Sequence, residues 1–305
     1  MTHPDHLERF AGLPVVRFDP EAADPGGVTA TPDEVAWRVE GDHGGKYDDV
    51  FAGFAALVDP ARVVAVVLGA YSDGTPLSAE DLAETASYPR LRALFVGAVE
   101  EEWPISWIEH EENFSPLFQA FPGLERFEAR GASHLELDPI ESESLRVLRW
   151  ESGGLPAGVV RAVAASGLPN LERLDLWLGT GAYGGNAAVG DLAPILSGER
   201  LPGLRHLALE DSEIADEIAE AVAGAPVVAR LESLSLAMGT LTDRGAEALL
   251  AGQPLTHLRR LDLHHHFLSE PMMERLRAAL PGVEVDLDDR RDAEDEGGFF
   301  VDVAE

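Results

Sequence analysis

The sequence predicts an α/β fold in which short parallel strands alternate with helices along one repeat array. An apolar pattern recurs along the chain, and after each copy the apolar spacing changes from alternate residues to the three- and four-residue spacing of a helix. Proline and glycine mark where the chain returns to the next unit, as at 121–123 and 201–203. These observations indicate a solenoid of stacked strand–helix units.

The recurring pattern is an apolar residue, two residues, a second apolar residue, one residue and a third apolar residue. Its copies start at the following positions: Val63, Leu91, Leu124, Leu145, Leu171, Leu204, Leu231, Leu258 and, in degenerate form, Leu280. The intervals run from 21 to 33 residues and average about 27. The second and third apolar positions alternate, which predicts a short strand, and an incomplete copy at 35–39 opens the series.

Helical spacing follows the strands. It is seen in Ile214, Ile218 and Val222 of one unit and in Ala246 and Leu249 of the next. A strand and a helix that alternate at this period place the strands parallel. We therefore expect a curved horseshoe with about nine parallel strands on the concave face and helices on the convex face.

The run LESLSLAMGTLTDRGAEALLAG at 231–252 is similar to one repeat of the ribonuclease-inhibitor-like class of leucine-rich repeat proteins. The resemblance covers about residues 60–287 and implies a leucine-rich repeat fold. Segments such as ESGGLP, LWLGT, SEIADEIA and LDLHHHFLSE also resemble a largely uncharacterised bacterial leucine-rich repeat family, which implies no established activity.

One feature departs from the family. The inward-facing ninth position of each repeat, usually Asn or Cys, is occupied here by Tyr71, Val99, Ala132, Gly153, Gly179, Ser212, Gly239 and His266. The usual ladder of Asn side chains is therefore absent, and the backbone groups at these turns need other partners. We expect His266 to take the place of the missing Asn in its repeat.

The two ends of the chain differ from the repeats. Residues 1–34 are expected to form a capping segment, since the first repeat has an apolar flank to cover. Residues 35–287 form the predicted leucine-rich repeat domain, and residues 288–305 an acidic C-terminal tail. Within the tail, the apolar residues 299–301 either dock as a short strand or bind something else.

Composition excludes several classes of function. The 305 residues include 55 acidic and 23 basic side chains, for a net charge of −32, which argues against nucleic acids and anionic membranes as partners. With no cysteine, disulfides and thiolate metal sites are excluded. The sequence has neither a long apolar stretch nor a basic start followed by an apolar run, so we expect a cytoplasmic protein without a membrane span.

The candidate binding residues lie between the motif leucines. Because side chains alternate along a strand, these residues face the concave side if the leucines point inward. The expected partner-binding set is Arg149, Glu151, Asp175, Trp177, His206, Glu210, Asp262 and His264. Trp177 either anchors a partner, as buried aromatics do at interface hot spots, or is covered by the loop 179–190. The same register places Glu284 beside Asp262 and exposes Ala237.

Three histidines in a row, 264–266, raise the question of a metal site beside Asp262. Neighbouring side chains on a strand point to opposite faces, so the three imidazoles do not converge, and we expect neither a metal nor a cofactor. Asp262 and Glu284 form a carboxylate pair of the kind used in acid–base catalysis, but on an open surface. The sequence contains no nucleophile, metalloprotease or nucleotide-binding motif.

We therefore predict a non-enzymatic scaffold that binds a protein partner through its concave face. The acidity of the chain favours a basic partner. One alternative is a metal- or carboxylate-dependent enzyme centred on Asp262, His264 and Glu284. Another is a small-molecule or peptide sensor in which the glycine-rich loop 179–190 acts as a lid.

Overall fold

A computed structural model describes residues 8–19, 31–41, 49–71, 75–99, 105–110, 112–131 and 134–303. Parts of the expected cap and the ninth-position residue Ala132 lie outside the described residues. Within the described ranges, no helix combines the length and the apolar character needed to cross a membrane.

The α/β class is confirmed. In the described part of the chain, twelve strands form one sheet in which the spatial order follows the chain order. The strands are β1 (Arg9–Phe10), β2 (Leu13–Arg17), β3 (Ala36–Val39), β4 (Ala65–Leu68), β5 (Ala93–Val96), β6 (Arg126–Arg130), β7 (Val147–Glu151), β8 (Arg173–Gly179), β9 (His206–Ser212), β10 (Ser233–Ser235), β11 (Arg260–Asp262) and β12 (Glu284–Asp286). The first pair is antiparallel and all later pairs are parallel. The sheet exceeds the nine expected strands because β1 and β2 of the N-terminal segment join its edge, together with β3, which is the incomplete copy at 35–39.

Helical segments connect most successive strands. The α-helices are α1 (Asp49–Leu57), α2 (Ala79–Thr85), α3 (Leu117–Ala120), α4 (Ala157–Ala165), α5 (Val189–Ser197), α6 (Ala215–Ala223), α7 (Asp243–Ala251), α8 (Glu270–Ala279) and α9 (Ala293–Glu296). Short 3₁₀ turns occupy Pro60–Arg62, Ile105–Trp107, Gly181–Tyr183 and Pro226–Arg230. The starts of α7 and α8 are set by Thr242 and Ser269, whose hydroxyl oxygens accept backbone N–H groups of the first turn.

The core lies between the helices and one face of the sheet. The motif leucines of neighbouring strands pair in register, as Leu174, Leu207, Leu234 and Leu261 do. They are buried in one apolar cluster with helix residues such as Ile218. The opposite face of β3 to β5 forms a second small cluster, and there Phe10 of β1 meets Phe95 edge to face with 6.0 Å between ring centroids. The N-terminal segment therefore covers the apolar end of that face.

The register of the last repeat differs from the prediction. Val285 pairs with Leu261, Asp286 with Asp262 and Glu284 with Arg260. The expectation that Glu284 faces Asp262 is therefore wrong. The physical reason is that buried Leu287, rather than Val285, fills the third apolar position of this unit.

Side chains also bond neighbouring units to each other at the turns. His266 is buried, as expected; its Nδ1 accepts the N–H of Leu268 at 3.1 Å and its Nε2 lies 3.2 Å from the carbonyl oxygen of Leu287. Asp216 accepts the N–H and the hydroxyl of Thr242, at 2.8 and 2.6 Å. These bonds join neighbouring units and satisfy backbone groups at the turns.

Candidate binding site

The sheet face opposite the helices is polar from β6 to β12, and we call this the polar face. Glu128, Arg149, Asp175, Ala208, Ser235 and Asp262 lie side by side on it in consecutive strands. Ion pairs within and between strands neutralise much of its charge. Glu151 pairs with Arg130 on the neighbouring strand at 2.6 Å and with Arg149 on its own strand at 3.0 Å. Such pairs stabilise neighbouring strands and leave only a few groups for a ligand.

A cavity of about 320 Å³ opens on this face between β7 and β11. Its lining consists of Arg149, Arg173, Asp175, Leu207, Ala208, Glu210, Ser233, Leu234, Ser235, Met238, Arg260, Asp262 and His264. Five of the eight predicted binding residues are therefore brought together around one cavity. Of the other three, Glu151 and Trp177 contact Arg149 from outside the lining, and His206 pairs with Ser233 at 2.8 Å.

Glu210 forms one wall of the cavity. Its carboxylate accepts the indole N–H of Trp177 at 2.9 Å and the hydroxyl of Ser235. Burial raises the pKa of Glu210, and the negative charge of Asp175 on the next strand raises it further. The Arg149 guanidinium lies 5.5 Å from the centre of the Trp177 ring and offsets part of this charge.

Asp175 forms the floor of the cavity. It is buried, and its Oδ2 lies 3.6 Å from Arg173. Its Oδ1 has no hydrogen-bond partner among the described residues. Burial raises the pKa of Asp175, although Arg173 and Arg149 act in the opposite direction. A buried carboxylate oxygen without a donor is costly for the isolated protein, and a ligand that supplies a donor would remove that cost.

Trp177 is buried, so it is not the exposed partner anchor that was one of its two expected roles. Only 3% of its surface is accessible, and it lies in an apolar cluster with Val99, Ile105, Ala237 and Met238. The loop 179–190 is not the cover either. It packs against the preceding turn instead, where the N–H of Thr180 donates to the carbonyl of Gly153 at 2.8 Å.

The cover comes from the long insertion between β5 and β6, which carries Ile105 and Ile108 to the polar face. Ala237 is fully buried in the same cluster, so the expectation that it is exposed is wrong. The register of β10 is the predicted one. Ala237 is buried because the insertion that carries Ile105 and Ile108 lies over the end of this strand.

The C-terminal side of the face carries an ion network. Arg260 donates to Asp262 and to Asp286, at 2.8 Å each, and His264 Nδ1 lies 2.8 Å from Asp262. The hydrogen bond with Asp262 raises the pKa of His264. The ligand atoms of Asp262, His264 and Asp286 lie within 4.8 Å of one another. Arg260, however, already supplies the positive charge that a metal ion would bring to these carboxylates.

The sequence interpretation missed a second row of residues at the ends of the strands. In five repeats the residue four positions after the second apolar residue has a left-handed backbone: Gly131, Asp211, Met238, His265 and Asp289, with φ of 89°, 53°, 66°, 52° and 59°. Only one of them is glycine, so four side chains are held in a conformation that such residues rarely adopt. We call these positions the turn row. In the sequence, the signal for this row is the glycine at 131, because glycine readily adopts a positive φ.

The C-terminal segment 299–303 lies against the turn row. No strand forms at 299–301; the ring of Phe300 instead packs edge to face on His265, with 5.3 Å between ring centroids. The N–H of Asp302 donates to the carbonyl of Met238 at 2.8 Å, and the N–H of Val303 donates to Asp211 Oδ1 at 2.9 Å. Val303 also packs against the cluster that contains Trp177.

Comparison with known proteins supports the fold. No protein-family model and no curated protein matches the chain. Among solved structures, a crystal structure of a Bacteroides fragilis protein, determined as a structural-genomics target, is similar with a TM-score of 0.75. The two sequences are 26% identical, and the match covers 87% of this chain and 77% of that one. The description of that protein states no activity.

Proposed function

We propose that this chain is a non-enzymatic binding protein whose polar face receives a protein partner, with a basic side chain of the partner entering the cavity above Asp175. The observation that carries the proposal is the buried Asp175 carboxylate, which lines the cavity and has an oxygen without a donor among the described residues. An ammonium or guanidinium group supplies the donor and the charge that this oxygen lacks.

Repeat architecture supports this reading. Strands that follow chain order in parallel, with leucines in register and inter-unit bonds at the turns, fit a curved leucine-rich repeat solenoid of the ribonuclease-inhibitor-like class. In such solenoids the strand face is a binding surface. A small-angle scattering profile tests the shape, because a curved solenoid is more extended than a compact domain of equal length.

The charge distribution favours a cation. Asp175 and Glu210 both have a raised pKa because burial disfavours their charged forms, so a positive group brought to them is stabilised by both. The chain as a whole carries a net charge of −32, which steers a basic partner toward it at low salt. The cavity of about 320 Å³ is at the small end of ligand sites, so it suits one inserted side chain.

Selection from a displayed random-peptide library tests the proposal without knowledge of the partner. The wild type is expected to enrich peptides with Arg or Lys at a fixed position. Asp175→Asn should weaken their binding about 10- to 100-fold, the value of one charge-assisted hydrogen bond of about 1.5–3 kcal/mol.

Glu172→Gln is the matched control. It removes the same charge from the same chain segment, but Glu172 is half exposed and pairs with Arg146 outside the cavity. This variant should bind the selected peptides within about twofold of the wild type, since a surface pair contributes little. Enriched peptides without a basic residue, or equal losses in both variants, would contradict the proposal.

A further inference from the structure

The C-terminal segment 299–303 runs back across the repeats. Val303 contacts Asp211 at the end of β9, Asp302 contacts Met238 after β10, and Phe300 contacts His265 after β11. Three successive positions of the turn row, Asp211, Met238 and His265, thus each contact one residue of the segment. Val301 is buried and the rings of Phe299 and Phe300 pack on Phe267, while Phe299 is 59% exposed, so the segment lies across the repeats as a strap.

His265 is the centre of this attachment. Its buried ring places Nε2 3.1 Å from the carbonyl oxygen of Phe300 and Nδ1 3.2 and 3.4 Å from carboxylate oxygens of Asp289 and Asp302. A carbonyl and a carboxylate are both acceptors, so both ring nitrogens must donate. The geometry therefore requires the doubly protonated, positively charged imidazole while the strap is docked.

The other charged groups around His265 both favour and oppose its protonation. Arg291 lies over the Phe300 ring and pairs with Asp289 at 3.0 Å, and it competes with His265 for that carboxylate. His264 and His266 flank His265 in the chain; the side chain of His264 bonds to Asp262, and that of His266 bonds to the carbonyl oxygen of Leu287. Burial lowers the pKa of His265, but the hydrogen bonds with Asp302 and the Phe300 carbonyl outweigh this and raise it overall.

Asp211 is the second proton-dependent contact. It is fully buried, its Oδ1 accepts the N–H of Val303, and its Oδ2 has no partner among the described residues. The carboxylates of Asp302 on the strap and Glu210 on the same strand are the charges that act on it. Burial, with these two negative charges, raises the pKa of Asp211 to about 8. An ionised Asp211 repels Asp302 and so opposes docking.

We propose that the segment 299–303 is a proton-dependent strap, docked on the turn row while His265 is protonated and Asp211 is neutral, and released when both lose their protons. Both groups bind the proton more tightly in the docked state than in the released state. By linkage, docking is therefore favoured at low pH and weakens as the pH rises through the raised pKa of His265 and through about 8 at Asp211.

Release has a consequence at the candidate binding site. Met238 belongs both to the cavity lining and to the apolar cluster against which Val303 packs. Undocking frees the Met238 carbonyl and uncovers part of that cluster, so the strap controls one wall of the cavity. This last step rests on the proposed function, whereas docking and release do not.

The absence of cysteine allows a direct test in the full chain. Glu305→Cys introduces a single thiol, which is labelled with a trifluoromethyl group and followed by ¹⁹F NMR from pH 5.5 to 9.5 without any ligand. We expect a docked signal at pH 6 and a released signal that grows with a midpoint near pH 8. Circular dichroism at each pH checks that the repeats stay folded.

Two variants move the transition in opposite directions. His265→Asn keeps a residue that tolerates the left-handed backbone but cannot carry the charge, so the released signal should dominate already at pH 6. Asp211→Asn keeps an acceptor for Val303 and cannot ionise, so the midpoint should rise. If His265→Asn fails to fold, Asp302→Asn serves in its place and should flatten the pH dependence.

Asp288→Asn is the matched control, since its side chain is exposed and the substitution removes one charge near the same turn. It should leave the midpoint within about 0.2 pH unit of the wild type, as expected for an exposed charge. A docked fraction that is constant from pH 5.5 to 9.5, or an unchanged midpoint in Asp211→Asn, overturns the strap. Peptide binding measured separately at pH 6 decides the proposed function, so the two can fail independently.

Discussion

Replacing Asp211 by Asn should make the protein more stable, although it removes a hydrogen-bonded side chain. In the unfolded chain this carboxyl ionises at its ordinary value of 3.8, while burial raises its pKa to about 8 in the folded protein. Folding at pH 7 thus requires a proton to be taken up. At 1.36 kcal/mol per pH unit between 3.8 and 7, this costs about 4 kcal/mol.

Asn avoids this cost and keeps the contact. Its carbonyl oxygen can accept the Val303 N–H, its amide occupies the place of the unpartnered Oδ2, and Asn tolerates a φ of 53° well. The gain depends on pH with a definite sign. Because the folded carboxyl binds its proton more tightly than the unfolded one, wild-type stability falls as the pH rises from about 4 to 8.

Urea denaturation of wild type and Asp211→Asn at several pH values measures this. The free energy of unfolding of the variant should exceed that of the wild type by about 2 kcal/mol at pH 5 and about 4 kcal/mol at pH 7. Asp288→Asn changes an exposed side chain, so its free energy of unfolding should stay within about 0.5 kcal/mol of the wild type at both pH values. A destabilised Asp211→Asn, or a difference that does not grow with pH, would refute the assigned burial of this charge.

Three further predictions concern core packing, backbone conformation and a buried hydrogen bond. Leu207→Ala should lower the free energy of unfolding by about 2–5 kcal/mol in urea, because this leucine is buried in a central repeat. Gly179→Ala should lower the free energy of unfolding by at least about 2 kcal/mol, since φ is 66° and a Cβ would lie 2.0 Å from a backbone carbonyl oxygen. Gly158→Ala should raise it by about 0.5–1 kcal/mol in the same assay, because a Cβ at this position of α4 lies in open space. Trp177→Phe should cost about 1–3 kcal/mol at pH 7 and less at pH 4 in thermal melts, because ionised Glu210 loses a donor.

The fold was predictable because each strand–helix unit repeats the same apolar pattern. Alternation around Leu207 and Leu234 defines a strand, and eight copies of it set the period and the register. The cross-strand neighbours Asp175 and Arg149 followed from that register alone. Only the last unit slipped by two residues, because Val283, Val285 and Leu287 offer two equally apolar registers and burial of Leu287 decides between them.

What the sequence did not predict depends on long-range contacts. Burial of Trp177 and Ala237 comes from an insertion more than two repeats away and from the chain end, and no local pattern encodes either contact. The left-handed backbone at Met238 and His265 is imposed by the stacking of neighbouring turns against intrinsic preference. The strap followed only in outline, since docking of residues 299–301 was one of two alternatives.

In the proposed complex, Asp175 receives a basic group of the partner. A double-mutant cycle measured by calorimetry tests this contact most directly. One selected peptide is prepared in two forms, with Arg or with uncharged citrulline at the position of its basic residue. Each form is titrated into the wild type and into Asp175→Asn. We expect citrulline to weaken binding to the wild type at least about tenfold and to leave binding to Asp175→Asn nearly unchanged, a coupling of about 1.4 kcal/mol or more. Additive losses would contradict the account, because the two groups would then bind independently.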